Sequence, residues 1–387
     1  MAKNEPILPH GGKLINKKVS ITQVNKISEQ IEEFLKLSIN PETCKVVKNI
    51  SNGVFSPLEG FMTENEMLSV LDHMRLENDV IWPFPIVLDV PISFNKKLNI
   101  SDSIILTDLK DYPIALMRID DIFNYNKKEF AEKVYGTVDR THPGVEEVYN
   151  QGDLLIGGDI FLLNELPPVF PDLDLKPVET RKIFKEKGWE KIVAFQTRNP
   201  PHKGHEYVQK AALVLSDGLF INPVIGKKKV GDFKDEVIIE SYKMLIKEYF
   251  PKHRVLLSTF ETEMHYAGPK EAIFHAIARK NFGCNYIIIG RDHAGVRNFY
   301  RPYDAHKIFD EFPDLGIEPI FFRSFSLCNV CEAIVSDKIC PHKEDCHINF
   351  SGTQIRNMLN EGKEPPKDVM RPEVSKVILN YENPFVD

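Results

Sequence analysis

The pattern of apolar and polar positions changes near residue 170. Before that point, four short apolar runs are separated by Asn, Asp, Gly and Pro, as is typical of short strands joined by turns. These runs are 86–91, 103–106, 114–118 and 154–156. Helical periodicity is local and covers 24–37, 63–74 and 127–135. We therefore predict a mixed, β-rich domain over residues 1–170 that ends in a proline-rich linker at 166–171.

Strand-like and helix-like runs alternate after this linker. The predicted strands are 191–196, 219–224, 255–260, 286–289 and 319–322, and the predicted helices are 207–215, 235–249 and 269–280. This alternation predicts an α/β domain over 171–322 with a parallel sheet and right-handed crossovers. Ligands of such sheets bind beyond the carboxyl ends of the strands. Residues 323–387 are left as a small C-terminal region.

Composition narrows the class of protein. The 387 residues are 42% apolar and 27% charged, with a formal net charge of -7. This acidity argues against a nucleic-acid partner, which requires a broad basic surface. Residues 1–14 lack the apolar core of a signal peptide, and no apolar run approaches the length of a membrane span. We expect a cytoplasmic enzyme without a membrane partner.

The most informative segment is 196–206, which reads Gln-Thr-Arg-Asn-Pro-Pro-His-Lys-Gly-His-Glu between a strand-like and a helix-like run. A helix N-terminus presents unpaired N–H groups and a partial positive charge, which suits a phosphate. Arg198 can bind an oxyanion at two points, and Gly204 lets the backbone approach a ligand. We predict an anion site here, with His202 and His205 in it. The alternative is a polar loop without chemistry.

Two later loops also follow predicted strands. The first, 226–232, carries three lysines between glycines and either reaches a polyphosphate or is a solvated basic loop. The second, 290–295, reads Gly-Arg-Asp-His-Ala-Gly, and its glycines permit tight turns. It is either part of the same crevice or an ordinary turn with an Arg–Asp ion pair. We favour the crevice because the loops after neighbouring parallel strands meet at one edge of the sheet.

Four of the six cysteines lie within 328–346, which indicates a metal site rather than a disulfide framework. Cys328 and Cys331 have the Cys-x-x-Cys spacing that lets two thiolates reach one tetrahedral zinc ion, and Cys340 supplies a third ligand. The fourth is His347, Cys346 or His342, of which we prefer His347. We expect the zinc to be structural; packed thiols without a metal are the alternative.

The last clear helix is expected to begin near residue 351. Ser351 or Thr353 caps its N-terminus, and Gly362 ends it. A phosphate contact from this N-terminus is a weaker alternative.

These motifs resemble the sulfate adenylyltransferase (ATP sulfurylase) family, in particular its zinc-containing bacterial and archaeal form. The resemblance extends along nearly the whole chain. It is carried by 196–206, by Gly226-x-x-Lys229-x-Gly231-Asp232, by 266–275 (Tyr-Ala-Gly-Pro-Lys-Glu-Ala and on to His275), by 290–296, and in the N-terminal part by 9–12, 53–58 and 60–62. It implies a PUA-like β-rich N-terminal domain and a nucleotidyltransferase-type α/β catalytic domain.

The resemblance also implies roles for individual residues. Its catalytic residues are Thr197, Arg198 and Asn199, which hold sulfate and the α-phosphate together with Gln196. His202 and His205 bind ATP phosphates. Arg291 and the backbone near Ala294 help to bind the sulfuryl group, and Gly290, Asp292 and His293 lie along the nucleotide. Lys229 adds positive charge near the phosphates.

The implied reaction converts ATP and sulfate to adenylyl sulfate (APS) and pyrophosphate, or runs in reverse, with Mg²⁺ accompanying ATP and a homodimer or larger homo-oligomer as the assembly. We predict direct in-line attack of sulfate on the α-phosphorus. One alternative is an adenylyltransferase of the same fold acting on a phosphopantetheine or nicotinamide nucleotide. Another is a non-enzymatic binder, such as an adenylyl sulfate sensor or a zinc-dependent scaffold.

Overall fold

The computed structural model describes residues 6–94, 97–349 and 352–386. Its N-terminal half contains seven strands and five α-helices. The strands are β1 Leu35–Ser38, β2 Gly60–Phe61, β3 Leu88–Val90, β4 Ser103–Thr107, β5 Pro113–Arg118, β6 Asp121–Asn124 and β7 Leu154–Leu162. The helices are α1 Ile21–Glu29, α2 Pro41–Ser51, α3 Glu64–His73, α4 Lys127–Tyr135 and α5 Pro143–Asn150. The predicted β-rich N-terminal fold is thereby confirmed.

The seven strands form one sheet built around the long strand β7. The order is β1-β4-β5-β7-β2, with β3 and β6 also paired to β7. One sequence prediction is wrong here. The helix expected over 24–37 ends at Glu29, and its last part becomes β1, which pairs in parallel with β4. This pairing adds a ladder of hydrogen bonds that local helical periodicity cannot reveal.

The second half contains the predicted parallel sheet. Its strands are β8 Ile192–Thr197, β9 Gly218–Ile225, β10 Val255–Leu257, β11 Phe260–Glu261, β12 Tyr286–Ile289 and β13 Glu318–Phe321. Its helices are α6 Pro177–Glu186, α7 Lys203–Val214, α8 Asp235–Tyr249, α9 Pro269–Phe282 and α10 Asp304–Lys307. The order β10-β9-β8-β12-β13 is all parallel, and β11 extends the pairing of β9. The expected single strand at 255–260 is therefore two short strands.

The strand order reverses direction between β8 and β12. From β8 the chain moves outward to β9 and β10, and it then crosses back to β12 on the other side of β8. The loops that follow β8 and β12 therefore diverge at a topological switch point, where open α/β sheets form their ligand crevice. The two motif loops at 196–206 and 290–295 are these loops.

Successive residues of β8 contribute to two different apolar cores, one on each face of the sheet. Ile192 and Ala194 join a core that is continuous with the N-terminal domain, whereas Val193 and Phe195 join a second core with α8 and the C-terminal helices. Side chains alternate between the faces of a strand, so both faces are covered. This burial holds the carboxyl end of β8, and with it the site loop, in a fixed place.

Residues 325–379 add a small three-stranded antiparallel sheet and two helices. These elements are β14 Phe325–Cys328, β15 Ala333–Ser336, β16 His347–Asn349, α11 Gly352–Asn360 and α12 Pro372–Leu379. Strand β14 lies between β15 and β16. We call residues 325–349 the metal lobe below. The proposed cap residue Ser351 lies outside the described residues, as do residues 1–5 of the N-terminal segment. No described helix combines the length and apolar character needed to cross a bilayer.

Candidate functional site

The carboxyl ends of β8 and β12 open into a cavity of about 1090 Å³. Loop residues that sequence analysis singled out line it from both strands. They are Gln196, Thr197, Arg198, Asn199, His202 and His205 after β8, and Gly290, Arg291, Asp292, His293 and Ala294 after β12. The structure therefore brings together two loops that are about ninety positions apart in the sequence.

Lys229 is the predicted residue that does not line this cavity, yet it lies beside it. Its Nζ stands 3.8 Å from the ring centroid of Tyr266, which also contacts Arg198. Burial lowers the pKa of Lys229, and the Arg198 charge lowers it further. Lys228 instead forms a 2.8 Å ion pair with Asp235. In the basic loop, Lys228 is therefore paired with a residue of the fold, whereas Lys229 lies beside the cleft.

The helix after β8 begins at Lys203, four residues earlier than expected, and His202 is its N-cap. The His202 Nδ1 atom accepts hydrogen bonds from the N–H groups of Gly204 and His205, at 3.0 and 3.3 Å. Two of the N–H groups that we expected to meet a phosphate are therefore used by a side chain. Since Nδ1 accepts, the proton of neutral His202 is on Nε2.

The two histidines stack on each other, with ring centroids 3.8 Å apart. Burial lowers the pKa of His202 well below its usual value, and burial lowers that of His205 to about 4. Both rings are therefore neutral at pH 7. Neutral rings can bind a phosphate through N–H donors but not through positive charge.

Gly204 serves packing in this structure. A Cβ atom on Gly204 would stand 2.0 Å from Cε2 of Phe325, a residue of the metal lobe. The space beside Gly204 is therefore filled by an aromatic ring, whereas the sequence had suggested a ligand there. The lobe and the first turn of α7 meet at this point.

The loop after β12 is built differently from the sequence expectation. Its left-handed backbone position is Ala294, with φ 55°, whereas Gly290 and Gly295 have no positive φ. Arg291 and Asp292 form the exposed ion pair that was the ordinary alternative, with Nε and Oδ2 3.7 Å apart. Arg291 also lines the cavity. The Arg–Asp ion pair and the shared crevice, which were alternatives in the sequence analysis, therefore occur together.

His293 connects the cavity to a buried polar chain. Its Nε2 lies 3.1 Å from Nδ1 of His275, whose Nε2 lies 3.6 Å from the carboxylate of Glu271. His275 and Glu271 are fully buried. Burial lowers the pKa of His293 to about 3 and raises that of Glu271 to about 7. His293 therefore lines the cleft as a neutral ring. Its contact with buried His275 fixes the orientation of the ring.

Three cysteines and one histidine converge in the metal lobe. The ligand atoms of Cys328, Cys331, Cys340 and His342 all lie within 4.8 Å of one another. The Sγ atoms of Cys331 and Cys340 are 3.8 Å apart, and His342 Nδ1 lies 3.3–3.5 Å from the three sulfurs. The edges of a tetrahedron with zinc–sulfur bonds of ~2.3 Å and zinc–nitrogen bonds of ~2.05 Å are about 3.6–3.8 Å. The donor set therefore fits a tetrahedral zinc ion.

The histidine of the converging group is His342, whereas we preferred His347 as the fourth ligand. His347 Nε2 lies 3.2 Å from the sulfur of Cys340, but His347 does not belong to the converging group. Cys346 contacts Asp345 instead. The reason is local geometry: Cys340 and His342 are two residues apart on one loop, so both reach the same centre. We therefore propose His342, which sequence analysis held as an alternative, as the fourth ligand.

The metal lobe also forms part of the cleft wall. Cys340, His342, Lys343 and His347 line the same cavity as Arg198 and His293. Local sequence patterns do not reveal this proximity, because the lobe at 325–349 is far along the chain from the loop at 196–206. Tyr266, which contacts two cations of the site, was also missed as a functional candidate. Its only signal was its place in a motif shared with a known family.

Both parts of the chain are similar to known proteins. The ATP-sulfurylase family model matches residues 171–381, and a PUA-like domain model matches residues 7–165. Sulfate adenylyltransferases of Pyrococcus abyssi and Thermococcus onnurineus are 53% and 51% identical to this chain, each over 98% of it and 99% of their own length. The chain belongs to the sulfate adenylyltransferase, or ATP-sulfurylase, family.

A solved structure of a hexameric APS kinase from Thiobacillus denitrificans shares the fold, with a TM-score of 0.79 at 20% identity. The likeness covers 98% of this chain and 69% of that one. Neither family match separates a catalytic domain from a C-terminal region. The divisions after residues 170 and 322 therefore stay predictions.

Proposed function

We propose that this chain transfers the adenylyl group of MgATP to sulfate, which gives adenylyl sulfate and pyrophosphate. Membership of the sulfate adenylyltransferase family supports this reaction. The observation that carries it at the level of residues is the single cleft lined by both motif loops at the switch point of the sheet. A nucleotide and a small oxyanion both suit such a position.

Sulfate needs no general base, because it is already a dianion at pH 7. The barrier is electrostatic, since the dianion must approach a polyanionic triphosphate. Two unit charges ~4 Å apart repel by about 4 kcal/mol at an effective dielectric constant near 20. Catalysis on this view consists of positioning plus charge stabilisation. We propose in-line attack of a sulfate oxygen on the α-phosphorus, with pyrophosphate leaving on the opposite side.

Different cleft residues supply the charge and the neutral donors. Arg198 is the proposed central cation for sulfate and the α-phosphate, aided by Lys229 and by Arg291 at the exposed rim. Gln196, Thr197 and Asn199 are proposed to orient the same oxyanions. Oε1 of Gln196 is buried at the cavity and has no hydrogen-bond partner among the described residues.

We assign the nucleotide side of the cleft to the remaining loop residues. His202 and His205 are proposed to donate N–H groups to phosphate oxygens as neutral rings. Gly290, Asp292 and His293 are proposed to lie along the nucleotide, and the backbone near Ala294 is proposed to help Arg291 bind the sulfuryl group. His293 keeps a fixed orientation through His275, so it can act as a directional hydrogen-bonding group.

We propose a structural zinc site at Cys328, Cys331, Cys340 and His342. Four protein donors close the tetrahedron, so no position is left for a reacting water or substrate. The loop that carries Cys340 and His342 lines the cleft. Metal binding would therefore fix one wall of the substrate site while taking no part in the reaction.

Three further proposals concern the cell compartment, the assembly and the direction of the reaction. We propose a cytoplasmic homo-oligomer, a dimer or larger. The reaction serves either sulfate activation, which consumes ATP, or the reverse direction in dissimilatory metabolism. Family membership is compatible with both directions.

The test is release of pyrophosphate from MgATP, with and without sulfate, using pyrophosphatase to draw the reaction forward. Sulfate-dependent release is the expected result. Release that depends on a phosphopantetheine or nicotinamide nucleotide would instead identify a different adenylyltransferase. Nucleotide binding without release under any acceptor would identify a non-enzymatic binder. A folded, zinc-loaded sample is the control for both negative outcomes.

A further inference from the structure

Tyr266 lies between Arg198, which lines the cleft, and Lys229, which lies beside it. Arg198 donates from Nη1 to the Tyr266 hydroxyl oxygen at 3.0 Å, and its guanidinium carbon is 5.2 Å from the ring centroid. Lys229 lies over the same ring, with Nζ 3.8 Å from the centroid. Tyr266 itself is only 7% exposed. One neutral, buried side chain therefore contacts both positive groups.

We propose that Tyr266 is a positioning residue that holds Arg198 and Lys229 in place for the anionic substrate. This inference rests on the proposed sulfate adenylyltransferase reaction, and it adds a residue that the family motifs of the cleft loops do not include. Tyr266 is not proposed to touch the reacting atoms. Its effect on turnover passes through the two cations.

The chemistry of tyrosine suits this position. A hydroxyl oxygen accepts from the guanidinium, and the electron-rich ring face attracts the ammonium, without cancelling either positive charge. A carboxylate there would pair with the cations and weaken their pull on an incoming anion. Burial raises the pKa of Tyr266 above its usual value, which keeps the hydroxyl protonated and the ring neutral.

The backbone of Tyr266 is held in an unusual conformation. Its φ is 59°, a left-handed value that bulky residues rarely adopt. The buried carboxylate of Glu271 accepts from the N–H groups on either side, that of His265 at 2.9 Å and that of Ala267 at 3.0 Å. Strained positions persist when their surroundings fix them, and such positions cluster at functional sites.

A histidine of the N-terminal half also holds the backbone of Tyr266 in place. Nδ1 of His142 accepts from the N–H groups of Gly144 and Val145, so its proton is on Nε2. That Nε2–H lies 3.1 Å from the carbonyl oxygen of Tyr266 and donates to it. A residue of the β-rich domain therefore helps to hold the turn that carries Tyr266. This gives the N-terminal domain a physical connection to the anion site.

The first test is Tyr266→Phe, which removes the hydroxyl and keeps the ring. We expect kcat/KM for sulfate to fall about 10- to 100-fold, the range for a lost hydrogen bond to a charged group, with Tm little changed. Tyr125→Phe is the matched control, because it deletes a hydroxyl that bonds Gln151 at 3.0 Å, outside the cleft lining. That control should keep normal turnover.

A double-mutant cycle separates an effect of Tyr266 through Arg198 from an effect that is independent of Arg198. If Tyr266 acts through Arg198, then Tyr266→Phe should add little to the loss already caused by Arg198→Ala. Full additivity of the two losses would overturn the proposal, as would an unchanged kcat/KM for Tyr266→Phe.

An isosteric substitution keeps the proposal testable if Tyr266→Phe does not fold. Incorporation of 3-fluorotyrosine at position 266 draws electron density from the oxygen and the ring with little change in shape. We expect a smaller, selective loss in kcat/KM for sulfate, and no loss would contradict the proposal. Wild-type protein without sulfate-dependent pyrophosphate release would instead refute the proposed function, so the two failures are distinct.

Discussion

Gly204 in the first turn of α7 and Phe325 at the start of β14 are in such close contact that no side chain fits between them. A Cβ atom on Gly204 would stand 2.0 Å from Cε2 of the ring and 2.9 Å from Cε1 of His202. This contact joins the metal lobe to the helix whose N-terminus carries both cleft histidines. The packing between the lobe and this helix thus depends on the missing side chain of Gly204.

Gly204→Ala is expected to destabilise the protein, although alanine is normally the better helix residue. Overpacking of a filled site costs about 1–3 kcal/mol in the free energy of unfolding. Urea denaturation measures this directly. Gly352→Ala is a matched control at the start of α11, where a Cβ atom would meet nothing within 4 Å.

The same contact predicts a suppressor. Phe325→Leu replaces the aromatic ring by a smaller side chain. It should therefore recover part of the stability that is lost in Gly204→Ala. The recovery is the loss that Gly204→Ala causes in the wild type minus the loss that it causes in the Phe325→Leu background. Equal losses in both backgrounds would show that the ring is not the obstacle.

Arg198→Ala is expected to abolish most turnover without unfolding the protein. Loss of one preorganised charge-stabilising donor lowers the rate by about 10²–10³-fold. Steady-state pyrophosphate release measures the effect, and thermal denaturation tests the fold. The exposed pair of Arg140 with Glu146 offers a control, since Arg140→Ala removes an arginine that does not line the cleft. Normal turnover in Arg198→Ala would refute the proposed mechanism.

Zinc content should distinguish His342 from His347. His342→Ala removes a donor of the converging group, so we expect the affinity for zinc to fall at least about 10-fold. His347→Ala should keep one zinc per chain. Metal analysis after dialysis, and the visible spectrum of the cobalt-substituted protein, report the site without reference to activity. The opposite pattern would restore His347 as the ligand.

Acid should destabilise the protein partly through His10. Burial lowers the pKa of this histidine to about 4, while its Nε2 stays in contact with the carbonyl of Ile81. The folded pKa lies below the unfolded value of 6.5, so the unfolded state binds the proton first. The contribution of neutral His10 is therefore complete above about pH 6.5, and it is lost as the pH falls toward 4.

The limiting slope for one such group is about 1.4 kcal/mol per pH unit. His10→Gln keeps an N–H donor but does not titrate, so its stability should fall less steeply between pH 6.5 and 4. The exposed residue His73 provides the control substitution, His73→Gln. Parallel pH curves for wild type and His10→Gln would contradict the prediction.

Several features of the site could be predicted from the sequence because they depend on local order. An apolar run followed by a polar loop and a periodic run predicts strand, loop and helix, so the position of 196–206 after a parallel strand was correct. The spacing of Cys328 and Cys331 likewise constrains two thiolates to one centre. The fold class followed from the alternation of such units.

Other features could not be read from local order. Residues Leu35–Ser38 continue a helical pattern, but pairing with β4 makes them a strand. His342 and His347 are equally plausible zinc donors in one dimension, and only the path of the loop brings His342 to the three sulfurs. Protonation could not be read from local order either, because burial keeps His202 and His205 neutral.

The sequence by itself determined the order of most elements, the family and the two motif loops that line the cleft, since periodicity and motif spacing are properties of neighbouring positions. Tertiary structure alone decided that the metal lobe walls the cleft, that Phe325 fills the space beside Gly204, and that Tyr266 lies between Arg198 and Lys229. The physical reason is that contacts, burial and protonation depend on residues far apart in the chain.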